Sequence, residues 1–470
     1  MNGKEKPRIF IFSTAYFPFS GGAEVAVRGL TDRLRDFSFS LITPRIRFGL
    51  PRYEHIGNVE VFRVGFGLGR IDKLLFPWWG KWRAERLHRR TPAALLWAIM
   101  ASYAGFAALF FKRSHPGIPL LLTLQEGDSE AYILRRAWMT WSWFLKLFRS
   151  ADAVQAISHY LARFASKYGF PGSPRVIPNG VAYRDFAAPQ NSREALRRAH
   201  SIPQDAPLII TVSRLVPKNG ISDLIAAIKE LPTAYLWIIG AGPLERQLKA
   251  ISYKLKAQDR IRFLGEMPHA ELPKYLQTAD VFCRPSYSEG LGNVFLEAMA
   301  AGTAIVGTNV GGIPDFLTDG VTGLFAKVGE PQDIAEKLLK VLSDSALAAT
   351  LRTNGRKLVE ERYDWGRIGE EFRELFLRLL ETPSRVVIAG EIYPPEIGGL
   401  ATYTKVVHEA IRSRTAHVGL LTHAEFKIQK SKFKMAPNNP STSSGYTGQA
   451  MQNSKLLRYL RYVFRLLRLS

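Results

Sequence analysis

Residues 286–302 read Ser286-Tyr287-Ser288-Glu289-Gly290-Leu291-Gly292-Asn293-Val294-Phe295-Leu296-Glu297-Ala298-Met299-Ala300-Ala301-Gly302. The apolar run Val281-Phe282-Cys283 just before them reads as a buried strand. From about Gly292 or Asn293 the apolar residues Val294, Phe295, Ala298 and Met299 follow helical spacing, and Gly302 is placed as a C-terminal cap. Strand, glycine-rich loop and helix start aim free backbone N–H groups, and the positive end of the helix dipole, at one point. Such a point suits a diphosphate. Glu289 lies on the loop, and Glu297 lies inside the helix, one turn after Asn293. Two carboxylates beside a phosphate site have the wrong sign for the phosphate and the right chemistry for hydroxyls, one on a ribose and one on a donor sugar. The plain alternative is a solvated loop Glu and an exposed helical Glu. Gly290, Leu291 and Gly292, the apolar helix face and the following Gly311-Gly312-Ile313-Pro314 favour the functional reading.

Upstream, 208–212 is a strand and 222–230 a helix, and Ser213-Arg214-Leu215-Val216-Pro217-Lys218-Asn219-Gly220 lies between them. Cations at the carboxyl end of a strand sit where open α/β sheets bind ligands. Arg214, as a fork, and Lys218, as a point charge, are candidates to clamp a diphosphate. Strand-like runs at 235–239, 261–264 and 304–306 complete an alternation of strand and helix. Gly240-Ala241-Gly242-Pro243 lacks the full dinucleotide fingerprint, which argues against a dehydrogenase.

The first part of the chain alternates in the same way. Residues 8–13 form a short apolar strand, Gly21-Gly22 follows, and an amphipathic helix runs to about Arg35. Gly21 and Gly22 would let backbone approach a phosphate. Residues 93–111 are uncharged and long enough to cross a membrane. Small and polar residues at 101–105 divide them into a buried strand, 95–100, a turn, and a helix, 103–111, with a further strand at 120–124. The expected architecture is two Rossmann-like doubly wound domains, 1–185 and 186–365, then a crossover helix and linker, 366–383.

Residues 384–470 are expected to be a partial repeat of the first domain. Arg385-Val386-Val387-Ile388 matches Arg8-Ile9-Phe10-Ile11 in type and order. Tyr393, Pro395, Gly398 and Gly399 keep the spacing of Tyr16, Pro18, Gly21 and Gly22, and Leu420-Leu421-Thr422 matches Leu41-Ile42-Thr43. The copy is incomplete and is not expected to fold alone. Residues 427–454, polar and rich in Ser, Asn, Gly and Pro, read as a loop.

Composition is globular. Among 470 residues the one cysteine, Cys283, excludes an intrachain disulfide and fits a reducing compartment. Residues 1–12 lack the pattern of a secretion signal, so a cytoplasmic protein is expected. A net charge of +23 favours anionic partners. No zinc-finger spacing or RNA-binding signature is present, so nucleic acid is not expected. Residues 135–149 carry three Trp, two Phe and four cations, with Trp138, Trp141, Leu145 and Phe148 at helical spacing. Residues 455–469 repeat the theme. Such helices lie in the interface of an anionic bilayer, and the protein is expected to be peripheral on the inner face of the membrane. A core helix has the same period.

The chain resembles glycosyltransferase family 4, the retaining enzymes of the GT-B fold, over about residues 8–380. The most specific block runs from Ser288-Glu289-Gly290 through Glu297-Ala298-Met299-Ala300-Ala301-Gly302 to Gly311-Gly312-Ile313-Pro314. Ser213-Arg214-Leu215-Val216-Pro217, 239–244, 263–265 and Ile177-Pro178-Asn179-Gly180-Val181 support it. The resemblance implies a UDP- or GDP-sugar held mainly by the second domain, a glycan or lipid-linked acceptor held mainly by the first, no cofactor and no metal. It implies that Arg214, Lys218 and the helix start at Gly292-Asn293 stabilise the leaving diphosphate. Glu289 orients the donor sugar, Glu297 holds the ribose, and backbone near Met267 meets the base. Two positions depart from the family. Asn219 stands where its phosphate-binding Lys is usual, with Lys218 one place earlier. Gln125 stands on the acceptor side where His is frequent, and Gln hydrogen-bonds but neither ionises nor acts as a strong base. A hexosyltransferase is thus expected. The alternatives are an epimerase-like GT-B enzyme or a weakened, membrane-associated sugar-nucleotide-binding protein.

Overall fold

The computed structural model describes residues 6–19 and 21–381 and the strand segments 386–389 and 418–421. Two parallel sheets organise the main part. The first contains β1 (Arg8–Phe12), β2 (Ser38–Pro44), β3 (Tyr53–Ile56), β4 (Val59–Val64), β5 (Leu95–Ile99), β6 (Leu120–Leu124), β7 (Ala153–Ala156) and β8 (Arg175–Val176). Its strand order is β3-β4-β2-β1-β5-β6-β7-β8, and only β3 runs antiparallel to its neighbour. The second contains β9 (Leu208–Val212), β10 (Tyr235–Ile239), β11 (Ile261–Gly265), β12 (Val281–Arg284), β13 (Ala304–Thr308) and β14 (Leu324–Ala326), in the order β11-β10-β9-β12-β13-β14.

Sequence dictates this form directly. Helices cover both faces of a parallel sheet, so its strands are apolar on both sides. Every residue of β5 and of β6 is buried. Some polar atoms that enter this core are paired there, as when the Trp97 indole N–H donates to Thr123 Oγ1 at 2.8 Å. Residues 93–111 divide as expected, into β5 and the helix Tyr103–Ser114. Among the described residues no helix is long and apolar enough to cross a membrane. The first helix, Gly22–Thr31, stops short of Arg35, because Asp32 already caps it.

Strand order reverses between β1 and β5 in the first sheet and between β9 and β12 in the second. Such switch points open a crevice at the carboxyl ends of the strands. The helix Trp365–Glu381, last in the main part, returns to the first sheet. Its Trp365, Ile368, Phe372 and Phe376 share a core with Ile9, Ile11, Trp97 and Phe37.

The expected aromatic helix at 135–149 is broken. A helix Glu130–Ala137, a 3-10 turn Trp138–Thr140 and a helix Trp141–Ser150 replace it. Phe148 is buried with Phe144 and Leu147, while Trp138 and Met139 are exposed. Trp138 and Phe148 therefore do not share one outward stripe. Residues 455–469 lie outside the described residues. By contacts, Met1–Val386 with Ala410–Val418 forms one compact unit and Val387–Glu409 with Gly419–Ser470 a second. Strands β15 (Val386–Ala389) and β16 (Val418–Leu421), at the two positions matched in sequence to β1 and β2, pair in a two-stranded sheet.

Candidate active site

The loops leaving β9 and β12 stand side by side at the second switch point. After β9, Asn219 is buried, and its amide donates to the Arg214 carbonyl at 2.6 Å, closing the turn. The place at which a Lys is frequent thus holds a residue that shapes the loop. The Arg214 side chain is exposed and forms no ion pair among the described residues. Lys218 Nζ donates to the Gly127 carbonyl at 2.7 Å and lies 3.0 Å from an Asp128 carboxylate oxygen. The Lys218 carbonyl accepts from the Tyr287 N–H at 2.7 Å, which ties the β9 loop to the β12 loop.

After β12 the chain turns through Gly290, Leu291 and Gly292 into the helix Asn293–Ala300. Gly292 has φ +92°, a left-handed conformation that admits glycine without strain. Leu291 is buried beneath the loop. Glu289 is nearly buried. One carboxylate oxygen lies 2.5 Å from Arg284 Nη2, and the other accepts from the Gly290 N–H at 3.2 Å. Arg284 in turn lies over the Phe295 ring, 4.7 Å from its centroid. This guanidinium was not singled out in the sequence, although a cation at the end of an apolar strand was the available signal. Glu297, one helical turn beyond Asn293, accepts from His269 Nε2–H at 2.9 Å. That bond raises the His269 pKa. Met267, half-buried in the loop after β11, is two residues from His269.

Gly311-Gly312 has a packing reason. The Gly312 N–H donates to the Glu289 carbonyl at 3.1 Å, and a side chain at Gly311, φ +56°, would collide with that same carbonyl. These glycines form the floor under Glu289.

The first sheet contributes the opposite wall. Gly21 caps the helix Gly22–Thr31, and its N–H donates to Glu24 at 2.8 Å. Gly22 lies against the Asn293 amide, where a Cβ would come within 3.6 Å. Gln125 and Asn179 are buried and exchange amide hydrogen bonds of 3.2 and 3.3 Å, and Asn179 also donates to Asn293 at 3.2 Å. Gln125 is thus the inner end of an amide chain that crosses from one sheet to the other. Ser288 donates to the Gly127 carbonyl at 3.2 Å, and Gly290 backs onto the Glu126 carbonyl so closely that no side chain fits. Next to these, one Glu126 oxygen accepts from the Ala101 N–H at 2.6 Å and the other is buried without a partner. Burial pushes its pKa up to about 7. Below, the His159 N–H donates to Asp315 at 2.7 Å.

The structure therefore gathers Gly22, Gln125, Lys218, Glu289, Gly290, Leu291, Gly292 and Asn293 along one seam. Glu297 and Met267 lie further along the helix and the β11 loop, and Arg214 is turned to solvent. Arg284, Glu126, Asp128 and His269 join the site without having been predicted. Among the described residues no group of three or more His, Cys, Asp or Glu side chains is placed to hold a metal ion.

Residues 20–184 match the family model described as Glycosyltransferase Family 4, and residues 192–358 match that of Glycosyl transferases group 1. A GDP-mannose-dependent alpha-(1-6)-phosphatidylinositol monomannoside mannosyltransferase of Mycolicibacterium smegmatis is 32% identical over 237 residues, 48% of this chain. The match spans 62% of that relative's length. Sucrose-phosphate synthase of Thermosynechococcus elongatus superposes with a TM-score of 0.71 at 23% identity, covering 79% of this chain and 99% of the other. The Anabaena protein HepE, solved with UDP and glucose, gives 0.66 at 21% identity, covering 79% and 99%. The fold is GT-B: two facing Rossmann-like halves with a terminal crossover helix.

Proposed function

We propose that this chain, whose first part matches glycosyltransferase family 4 and whose second matches glycosyl transferases group 1, is a retaining hexosyltransferase. It moves a sugar from a UDP- or GDP-sugar to a hydroxyl of a glycan or lipid-linked acceptor. The observation that carries this reading is the seam itself. A glycine loop, a helix start, Lys218 and a buried carboxylate converge at the second switch point, directly opposite Gly22 and Gln125.

The chemistry asks for two things, departure of an anionic diphosphate and support of an oxocarbenium-like sugar. Lys218, Arg214 and the N–H groups at Gly292-Asn293 supply positive potential where leaving charge grows. Glu289, fixed by Arg284 on one oxygen, offers its remaining lone pairs to sugar hydroxyls. Glu297, on the same helix, holds the ribose, and backbone near Met267 meets the base. Gly21 and Gly22 let the first half approach the phosphates. Gln125, bound to Asn179, orients an acceptor hydroxyl and accepts no proton. The departing phosphate oxygen takes the acceptor proton as the new bond forms on the face it leaves. Charge neutralisation is assigned to these side chains, so neither a metal nor another cofactor enters the reading. Activity is expected to persist in chelator.

We also place the protein at an anionic membrane surface, as its net charge of +23 favours. The sequence matches at 384–470 are read as a partial second copy of the first half, a reading the paired strands β15 and β16 support. Calorimetric titration with a panel of UDP- and GDP-sugars, followed by transfer assays on glycan and lipid-linked acceptors, tests the enzyme reading. Failure of every nucleotide diphosphate to bind overturns it.

A further inference from the structure

The helix Arg70–His88 has two apolar sides. Phe76, Pro77, Gly80 and Ala84 are buried on one, where a side chain at Gly80 would meet Ala107 of the helix Tyr103–Ser114. The other side is in solvent. Ile71, Leu74, Trp78 and Trp82 are 52, 54, 50 and 58% exposed. Their spacing of three, four and four residues puts them in one narrow stripe, roughly 16 Å long at the helical rise. Packing does not require this. A soluble helix with one buried side is ordinarily polar on the other.

The stripe continues beyond the start of the helix. Phe48, Phe66 and Leu68 are exposed on the two loops before the helix. Those loops pack tightly, for a side chain at Gly67 would strike the Phe48 backbone. Midway, the Trp78 ring meets Trp143 at 5.7 Å and Phe110 at 6.0 Å. Nearly half of the large apolar side chains exposed among the described residues lie between residues 48 and 82.

The charge around the stripe has a single sign. Arg70, Arg86, Arg89 and Arg90 are exposed along the helix and just past its end, and Arg86 lies over the Trp82 ring at 4.8 Å. The two acidic residues of the helix are both engaged. Asp72 is buried, accepting from the Phe66 and Leu68 N–H groups, and Glu85 pairs with His115 at 2.8 Å. A second copy of the chain would bring the same cations to the contact and be repelled. Aromatic side chains beside arginines, with no free carboxylate, complement an anionic bilayer, whose interface takes Trp rings and whose headgroups take guanidinium.

We infer that the outward face of Arg70–His88, with the Phe48 and Phe66–Leu68 loops, is the surface by which this protein sits on an anionic lipid bilayer. The surface deepens the membrane placement proposed above, and it centres the face on this helix, which meets the aromatic segment at Trp143, and not on the exposed Trp138 and Met139. Position gives it a consequence. The loop holding Phe66 and Leu68 leaves the carboxyl end of β4, on the same edge of the sheet as Gly22 and Gln125. Bound through this face, the acceptor side of the seam opens at the lipid surface, where a lipid-linked hydroxyl is held.

The test is vesicle flotation of the full chain with phosphatidylglycerol-containing or pure phosphatidylcholine vesicles, at low and high salt. Leu74→Ser with Trp82→Ser is the informative variant. Both residues are exposed, and Trp78 stays in place because Trp143 and Phe110 pack on it. Wild type is expected to float with phosphatidylglycerol at low salt, the double variant to bind at least tenfold more weakly, and Trp138→Ser with Met139→Ser to bind as wild type. Circular dichroism and nucleotide titration of each variant separate loss of this face from loss of fold or of the donor site. Three results would overturn the inference: no flotation of wild type, equal flotation of the Leu74/Trp82 variant, or a dimer in sedimentation that this variant abolishes.

Discussion

Glu289 owes its orientation to Arg284, and the two stand or fall together. Replacing Glu289 with Ala is expected to cut transfer by at least about a hundredfold while the fold survives, because a charge-assisted bond to the sugar and its positioning are both lost. Either Arg284→Ala or Glu289→Ala removes one member of a nearly buried pair, so each is expected to cost about 3–5 kcal/mol of stability, and Arg284→Ala to lose turnover as well. Transfer assays and chemical denaturation of both variants check this. Lys218 is paired with Asp128 and with the Gly127 carbonyl. A diphosphate must displace that carboxylate, so Asp128→Asn is expected to tighten nucleoside diphosphate binding about two- to fivefold, the worth of a half-exposed pair. Calorimetry showing weaker or unchanged binding would remove this competition. Glu126 sets a pH dependence. Its carboxyl titrates near pH 4.5 unfolded and about 7 folded, so its proton is held more tightly in the native state. The stability this confers is complete below about pH 4.5 and lost as pH rises through 7. Glu126→Gln is expected to flatten that decline, by of order 1–3 kcal/mol at pH 8. Thermal melts across pH 4.5–8 measure it.

At the scale of elements, the loop after β12 depends on its glycine floor. Gly311→Ala forces a Cβ into the Glu289 carbonyl and adds left-handed strain. It is expected to cost more than about 1 kcal/mol and to lower activity beyond its effect on stability. Parallel measurement of melting temperature and kcat decides. Elements of this kind were legible in sequence because a parallel strand is a near-continuous apolar run. β5, β9 and β10 therefore stand where the apolar runs put them. The helix start at Asn293 was equally legible from Gly292 and the apolar period behind it. Three features were hidden for physical reasons. The break at Trp138–Thr140 keeps a helical spacing of aromatics while turning the chain, so Phe148 enters the core. The outward stripe on Arg70–His88 escaped because the helix is apolar on both sides, which blurs the periodicity. Pairing of Glu289 with Arg284, and of Lys218 with Asp128, depends on which loops the two sheets bring together, and local sequence does not encode that.

For the whole molecule, the decisive fact is that the last helix of the main part belongs to the first half. Trp365, Ile368, Phe372 and Phe376 cover β1, β2 and β5. A chain ending at Glu381 is expected to melt like the full protein and to bind nucleotide, since the main sheets and this helix remain. Ending at Asp364 uncovers Trp97 and Phe37, and precipitation or a fall of many degrees in melting temperature is expected. Comparative melts of the two truncations test both statements. The same threading bears on fragment behaviour. The connector near Pro189 to Ser192 is the one covalent link from residues 1–188 to the rest of the chain, yet a protease that severs it leaves the halves fastened by a strap returning from the far end of the chain. The nicked protein should run as one particle until denaturant is added. Residues 1–188 produced alone lack a wall of their own core, which only the missing fragment, added in trans, can supply.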